Sequence, residues 1–130
     1  MLEHSQLIVL LTGKNDPLWI CNVPDKVRNA LGCSTSAVYL SRESAAHILR
    51  EHNDIDTFQI LLLPIAIERG RLVVEIDRPQ FINSIYKNID GRIYFVALKI
   101  AQKGHELWVS SIYRITNKKM AQKLKKCRDL

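Results

Sequence analysis

Apolar residues along this chain fall into short blocks punctuated by Gly and Pro, and the spacing inside each block predicts its element. Leu7–Leu11 and Leu18–Cys21 each read as a short strand, with the turn-forming stretch Gly13 to Pro17 between them. Pro24 opens a short helix over Asp25–Leu31, which Gly32 stops as a C-terminal cap. Ala37–Leu40 reads as a strand. Ser41 is the N-cap of a helix running to about His52, with Glu43 in the first turn, where a negative charge suits the helix dipole. Another helix follows Asp56, its apolar body from Phe58 to Ile67 broken near Pro64. Being apolar nearly all round, it belongs in the interior.

From Arg71 the period changes to that of a strand, with Leu72, Val74 and Ile76 alternating with Arg71, Val73, Glu75 and Asp77 up to Pro79. Phe81, Ile82, Ile85 and Tyr86 fit either a strand or a short helical turn. The strongest local signal is Arg92 to Arg114, two strands joined at Lys103-Gly104 as a tight hairpin. A two-residue loop pairs Gln102 with His105, Ile100 with Leu107, Leu98 with Val109, Val96 with Ser111 and Tyr94 with Tyr113 on an aliphatic, core-directed face. The other face then carries Lys99 opposite Trp108, Ala97 opposite Ser110, and Ile93 opposite Arg114. Asn117 to Leu130 predicts a helix capped by Thr116 or Asn117, with Met120, Leu124 and Cys127 as a narrow apolar stripe. Helices first and a mainly antiparallel sheet afterwards indicate an α+β fold, with the helices packed on one face of a small sheet.

A length of 130 residues suits one domain, and 47% apolar with 25% charged residues is an ordinary globular composition. The net charge of +6 is unevenly placed. Residues 1–113 hold 12 Lys/Arg and 12 Asp/Glu, whereas residues 114–130 hold 7 Lys/Arg and one Asp. The expected organisation is therefore a neutral α+β domain over 1–115 and a basic C-terminal helix over 116–130. The longest apolar run, Ile60 to Ile67, contains Pro64 and is far short of the ~18 residues of a membrane span. Nothing near the amino terminus resembles a secretory signal, so the expectation is a cytoplasmic protein without a membrane partner. Cys21, Cys33 and Cys127 form no Cys-x-x-Cys pair, and His4, His47, His52 and His105 share no metal-ligand spacing, which points to reduced thiols and to neither metal nor cofactor.

Three places could carry chemistry. On the Ser41–His52 helix, His47 and His52 lie about 140° apart around the axis and cannot share one small site. His52 falls on the buried stripe, as a core histidine or as a general acid or base at the sheet edge; His47 shares a face with charged residues. RNA cleavage by 2′-hydroxyl attack without a metal needs a base, an acid and fixed cations around the phosphorane charge, and the polar hairpin face offers cation, hydroxyl and aromatic platform together in Lys99, Ser110, Arg114 and Trp108. A plain solvated sheet face has the same composition. Glu75, on a strand face with Arg71 and Asp77, is either a surface salt-bridge partner or a base. The lysines of the tail, including Lys118, Lys119 and Lys123, suit phosphate or an acidic partner, and equally a docked C-terminal helix with a solvated outer face.

The order Val38-Tyr39-Leu40-Ser41-Arg42-Glu43-Ser44, His47, Glu51-His52-Asn53-Asp54-Ile55, Leu62-Leu63-Pro64-Ile65, Tyr94 to Lys99 and Val109 to Arg114 resembles the phage-borne nucleases of the barnase, EndoU, colicin and RelE group. The likeness spans roughly residues 37–115. It implies helices on one face of an antiparallel sheet and metal-independent cleavage of RNA, mRNA or tRNA, to a cyclic phosphate on the other. It also implies a toxin-like role on a mobile element, an inhibitor or immunity protein as partner, and a catalytic part for His52, Lys99, Ser111, Tyr113 and Arg114. The group more often has proline after the second helix histidine and threonine where Ser111 stands. The roles expected are His52 or Glu75 as base or acid, and Lys99 and Arg114 as phosphate cations. Ser110, Ser111 or Tyr113 would be the orienting hydroxyl, and Trp108, His47, Arg71 and the tail lysines would be RNA contacts. A bulge in the hairpin is needed to bring Ser111 and Tyr113 to the face of Lys99; without one, Lys99, Ser110 and Arg114 form the set. The rival readings are a non-catalytic nucleic-acid-binding module and an accessory protein that docks through its tail.

Overall fold

The computed structural model describes residues 2–130. In chain order it forms helix α1 (His4–Leu11), strand β1 (Leu18–Asn22), α2 (Asp25–Leu31), β2 (Ala37–Leu40), α3 (Arg42–Glu51), α4 (Thr57–Ile60), α5 (Leu63–Arg69), β3 (Arg71–Glu75), β4 (Phe81–Lys87), β5 (Ile93–Ala101), β6 (Glu106–Ile115), α6 (Asn117–Leu124) and β7 (Cys127–Asp129). The strands make one sheet in the order β1-β2-β6-β5-β4-β3-β7, parallel between β2 and β6 and antiparallel elsewhere. This is the α+β architecture expected from the sequence. Among the described residues no helix is long and apolar enough to cross a membrane.

The core lies between the helices and one sheet face, where Leu7 and Leu10 of α1, Ile48 of α3 and Leu63 and Ile67 of α5 meet Ile82, Val96, Leu98, Leu107, Val109 and Ile112. Each such fully buried side chain contributes roughly 1.5–3 kcal/mol relative to exposure. Helix α3 follows its sequence signals closely, with the Ser41 hydroxyl accepting from the Ser44 amide at 3.0 Å. On the opposite, outer face α6 covers only one end, packing Met120 and Leu124 near Val73, Ile85, Ile93 and Phe95. That second layer explains why β3 buries Leu72, Val73 and Val74 in succession instead of alternating.

Four expectations are corrected. Leu7–Leu11 lies in a helix, because Leu7 and Leu10 share one buried side three residues apart while Glu3 and Gln6 form a capping box. The tail helix ends at Leu124, and Cys127–Asp129 add a strand to β3. Helices α4 and α5 are separate, and Phe58 is 68% exposed rather than interior, stacked on the His4 ring. The hairpin turn is longer than two residues: pairing stops at Ala101↔Glu106, and Gln102 and Lys103 take positive φ values of 52° and 56°.

Arg71, expected to touch nucleic acid, instead fastens β7: its Nε and Nη2 donate to Asp129 Oδ1 and Oδ2 at 2.8 and 2.9 Å. The Arg71 hydrogen bonds, aided by its charge, hold the Asp129 carboxyl below the ordinary carboxylate value. The contribution of such a depressed group is present above the unfolded-state value of ~3.9 and is lost as pH falls through the folded-state value. Protection of the β7 amides against hydrogen exchange is therefore expected to be maintained at neutral pH and to decline in acid below about pH 4. Protection that is insensitive to both acid and Asp129→Asn would show that the pair does not hold the strand.

Candidate active site and nucleic-acid interface

The site is shaped by a bulge in β6. From Ala101↔Glu106 to Leu98↔Val109 the β5–β6 register is the one expected, but beyond it Ala97 pairs with Ser111, leaving Ser110 as the extra residue. The slip moves every later β6 side chain to the other face. Tyr113 now sits opposite Phe95 on the outer face, and Arg114 sits opposite Tyr94, whose ring belongs to the inner core. The bulge thus brings Ser111 and Tyr113 to the side of Lys99, Trp108 and Ser110 and removes Arg114 from it. The expectation that Lys99 and Arg114 flank one phosphate is overturned. Arg114 lines a separate hollow of about 740 Å³ beside Asp54 and Asp90.

His52 reaches the outer face because of where α3 stops. Helix α3 lies over the inner face, while β2 meets β6 only at Val38↔Leu107 and Tyr39↔Trp108. From Val109 onward no described strand lies on that side of β6. His52, the C-cap of α3, fills the vacant edge, stacking on Tyr113 with ring centroids 5.1 Å apart and placing Nε2 3.2 Å from Ser111 Oγ. Tyr113 also packs against Phe95, and the Lys123 ammonium of α6 lies 4.6 Å from the Phe95 centroid and 5.5 Å from that of Tyr113. A histidine, a hydroxyl, a phenol and an ammonium therefore surround one point of the sheet edge. His47 does not join them; its Nδ1 faces the Arg50 guanidinium at 3.4 Å on the exposed side of α3.

Beside this cluster lies a groove of about 1130 Å³ between α6 and the outer sheet face. Phe95, Ala97, Ser110 and Tyr113 line one side, and Lys119, Lys123, Lys125 and Lys126 supply charge along another. Lys118 lines neither hollow. Glu75 stands at the far end of the groove, accepting from Arg78 Nη2 at 2.8 Å and from Asn83 Nδ2 at 3.2 Å. Three strand spacings separate β3 from β6, so Glu75 is roughly 14 Å across the sheet from the His52 cluster. It belongs to an ion pair and is not a second acid–base group for one phosphate. Lys99 stays on the cluster's face, two residues along β5 from Ala97.

Phe95, Asn83, Lys125 and Lys126 were not singled out from the sequence. A signal for Phe95 existed in its two-residue spacing from Ala97 and Lys99, but its place beside Tyr113 depends on the bulge. Among the described residues no three His, Cys, Asp or Glu side chains gather as metal ligands. No family model, no curated protein and no solved structure matches this chain.

Proposed function

We propose that this chain is a metal-independent endoribonuclease that cleaves RNA by attack of the 2′-hydroxyl on the adjacent phosphorus, leaving a cyclic phosphate. The observation that carries the reading is the His52–Ser111 contact of 3.2 Å against the Tyr113 ring, beside a groove edged with lysines. His52 Nε2 takes the proton of the attacking 2′-hydroxyl. The new bond from the 2′-oxygen to phosphorus forms as the bond to the 5′-oxygen breaks, and the leaving oxygen takes the Tyr113 phenol proton. Lys123 faces the phosphorane charge, Lys99 stands on the same sheet face outside the groove, and the Ser110 and Ser111 hydroxyls orient the phosphate. The motif order along residues 37–115 extends the proposal to a toxin-like protein of a mobile element, restrained by an inhibitor or immunity protein.

Incubation with unstructured RNA in EDTA tests this, the expected result being fragments that end in a 2′,3′-cyclic phosphate. RNA that is bound but left intact would overturn it. A second reading, a binding module without catalysis, is favoured by one observation: Glu75 is held away from His52 by Arg78 and Asn83, which leaves the histidine without a carboxylate partner among its hydrogen bonds. Salt-dependent binding of uncleaved RNA would be its signature.

A further inference from the structure

Beyond the His52 cluster, the outer face carries a second feature that the proposed reaction does not use. The strand register aligns Trp19 with Tyr39, Tyr39 with Trp108, Trp108 with Lys99, and Lys99 with Phe81. Five adjacent strands thus contribute one residue each to a single transverse row, and directly paired residues present their side chains on the same face. At ~4.8 Å per strand the row is about 19 Å long. Helix α6 packs over Ile93 and Phe95 at the other end of the sheet and leaves it uncovered.

The composition of the row is unusual for an idle surface. Trp19 is 52% exposed, and the Tyr39 and Trp108 rings, both half-buried, lie 6.0 Å apart. Phe81 is half-buried with the Arg78 guanidinium 4.6 Å above its ring. Each indole N–H is already engaged within the chain, Trp19 Nε1 with Asn22 Oδ1 at 3.2 Å and Trp108 Nε1 with Glu106 Oε1 at 2.9 Å. The two indoles therefore have faces to offer and no free N–H for base-edge readout. Lys99 interrupts the aromatics with an exposed cation, and the row opens onto the groove that Arg78, Phe81 and the α6 lysines share. The carboxylates nearby are Glu75 and Asp77 in that groove, Glu75 being paired with Arg78, and Glu106, which holds the Trp108 indole.

We infer that this row is a base-stacking track for single-stranded RNA, running across the sheet from Trp19 to Phe81 and delivering the strand to the lysine-edged groove. The inference rests on the RNA reading above and adds to it the strandedness of the substrate and a set of contacts outside the point of cleavage. Planar groups interleaved with cations match a polyanion whose bases are free to stack, whereas a duplex keeps its bases occupied with each other. Because stacking is tolerant of base identity and the indole donors are engaged, the track holds pyrimidine and purine runs with similar affinity.

The test uses fluorescence anisotropy with a labelled ten-nucleotide oligouridylate, a stable RNA hairpin and the matching DNA strand, on the full chain carrying His52→Ala to prevent turnover. The single-stranded RNA is expected to bind tighter than the hairpin, and adding Trp19→Ala is expected to weaken it roughly tenfold, with Trp19→Phe restoring most of the loss. Trp19 is exposed on an edge strand, and an unchanged thermal midpoint confirms that the variants fold. Binding indifferent to Trp19→Ala, preference for the hairpin, or DNA bound as tightly as RNA each overturns the inference. So does a Trp19-dependent dimer in sedimentation without RNA binding, which would make the face a protein interface. Cleavage by the unaltered chain is measured in parallel. Trp19-dependent binding without cleavage defeats the nuclease reading and leaves the track; cleavage with Trp19-independent binding does the reverse.

Discussion

Replacing His52 by alanine is expected to lower RNA cleavage about 10²–10⁴-fold, the range that general acid–base groups contribute, with little change in RNA affinity. The expectation follows from position. His52 is the histidine that the fold brings to the outer face beside Ser111 and Tyr113, and Glu75 is held elsewhere by Arg78 and Asn83. His52 lies at the end of α3, half-buried, and its backbone N–H to Ile48 survives the change, so the helix should not unravel. His52→Gln separates chemistry from packing: glutamine can still hydrogen-bond Ser111 but cannot carry the 2′-hydroxyl proton, and it should be as inactive as alanine. Single-turnover rates on saturating RNA provide the measurement. Retention of wild-type cleavage by either variant would move the reaction away from this cluster.

The largest effect on stability is expected at Gly70, where alanine should cost about 3 kcal/mol, at the upper end for an overpacked site. Its backbone, with φ −73° and ψ 162°, is open to any residue, so conformational freedom is not the reason. Space is. A Cβ there would fall on the Ser84 hydroxyl and the Ala66 carbonyl oxygen, and within 3.2 Å of the Ile85 carbonyl oxygen. Those groups are the fastening between α5 and β4: the fully buried Ser84 hydroxyl donates to the Ala66 carbonyl, and the Gly70 amide donates to the same oxygen at 3.0 Å. Alanine must lift the end of α5 from the sheet and break that joint. Urea denaturation should show a lower midpoint with an unchanged slope. In Gly70→Ala/Ser84→Ala the obstructing hydroxyl is gone, so the pair should cost less than the two single changes added together. An unchanged midpoint for Gly70→Ala would mean that the joint has room the structure does not show.

Some of this was legible in the chain and some was not, for reasons that differ between elements. Helix α3 was legible because its signals are local: the Ser41 cap and an amphipathic spacing need no distant partner. The register of the distal half of the β5–β6 hairpin was legible because the two strands are adjacent in sequence about Lys103-Gly104, and lengthening the turn symmetrically leaves the pairing unchanged. Leu7–Leu11 reads as a strand in isolation because five consecutive apolar residues carry no period; the buried side of α1 is defined by the elements it packs on, α3, α4 and β1. Strand β7 was hidden because it exists through a partner 58 residues away, the Arg71–Asp129 pair and the β3 edge.

The candidate site divides in the same way. Read alone, the sequence determined the residue types available, a histidine at a helix end, hydroxyls and an aromatic on one strand, and lysines in the tail. Local propensity and composition depend on neighbours a few positions away. It did not determine which of them meet. That depended on one extra residue at Ser110, which turned Ser111 and Tyr113 to the outer face and Arg114 to the helix side, where it stays exposed, and on a β2 too short to cover the edge that His52 fills. Both are consequences of packing two faces of a sheet at once, where the cheapest register is chosen by contacts among elements far apart in the chain. The aromatic row from Trp19 to Phe81 is of the same kind: its members come from five separate strands, and only their alignment makes them a surface.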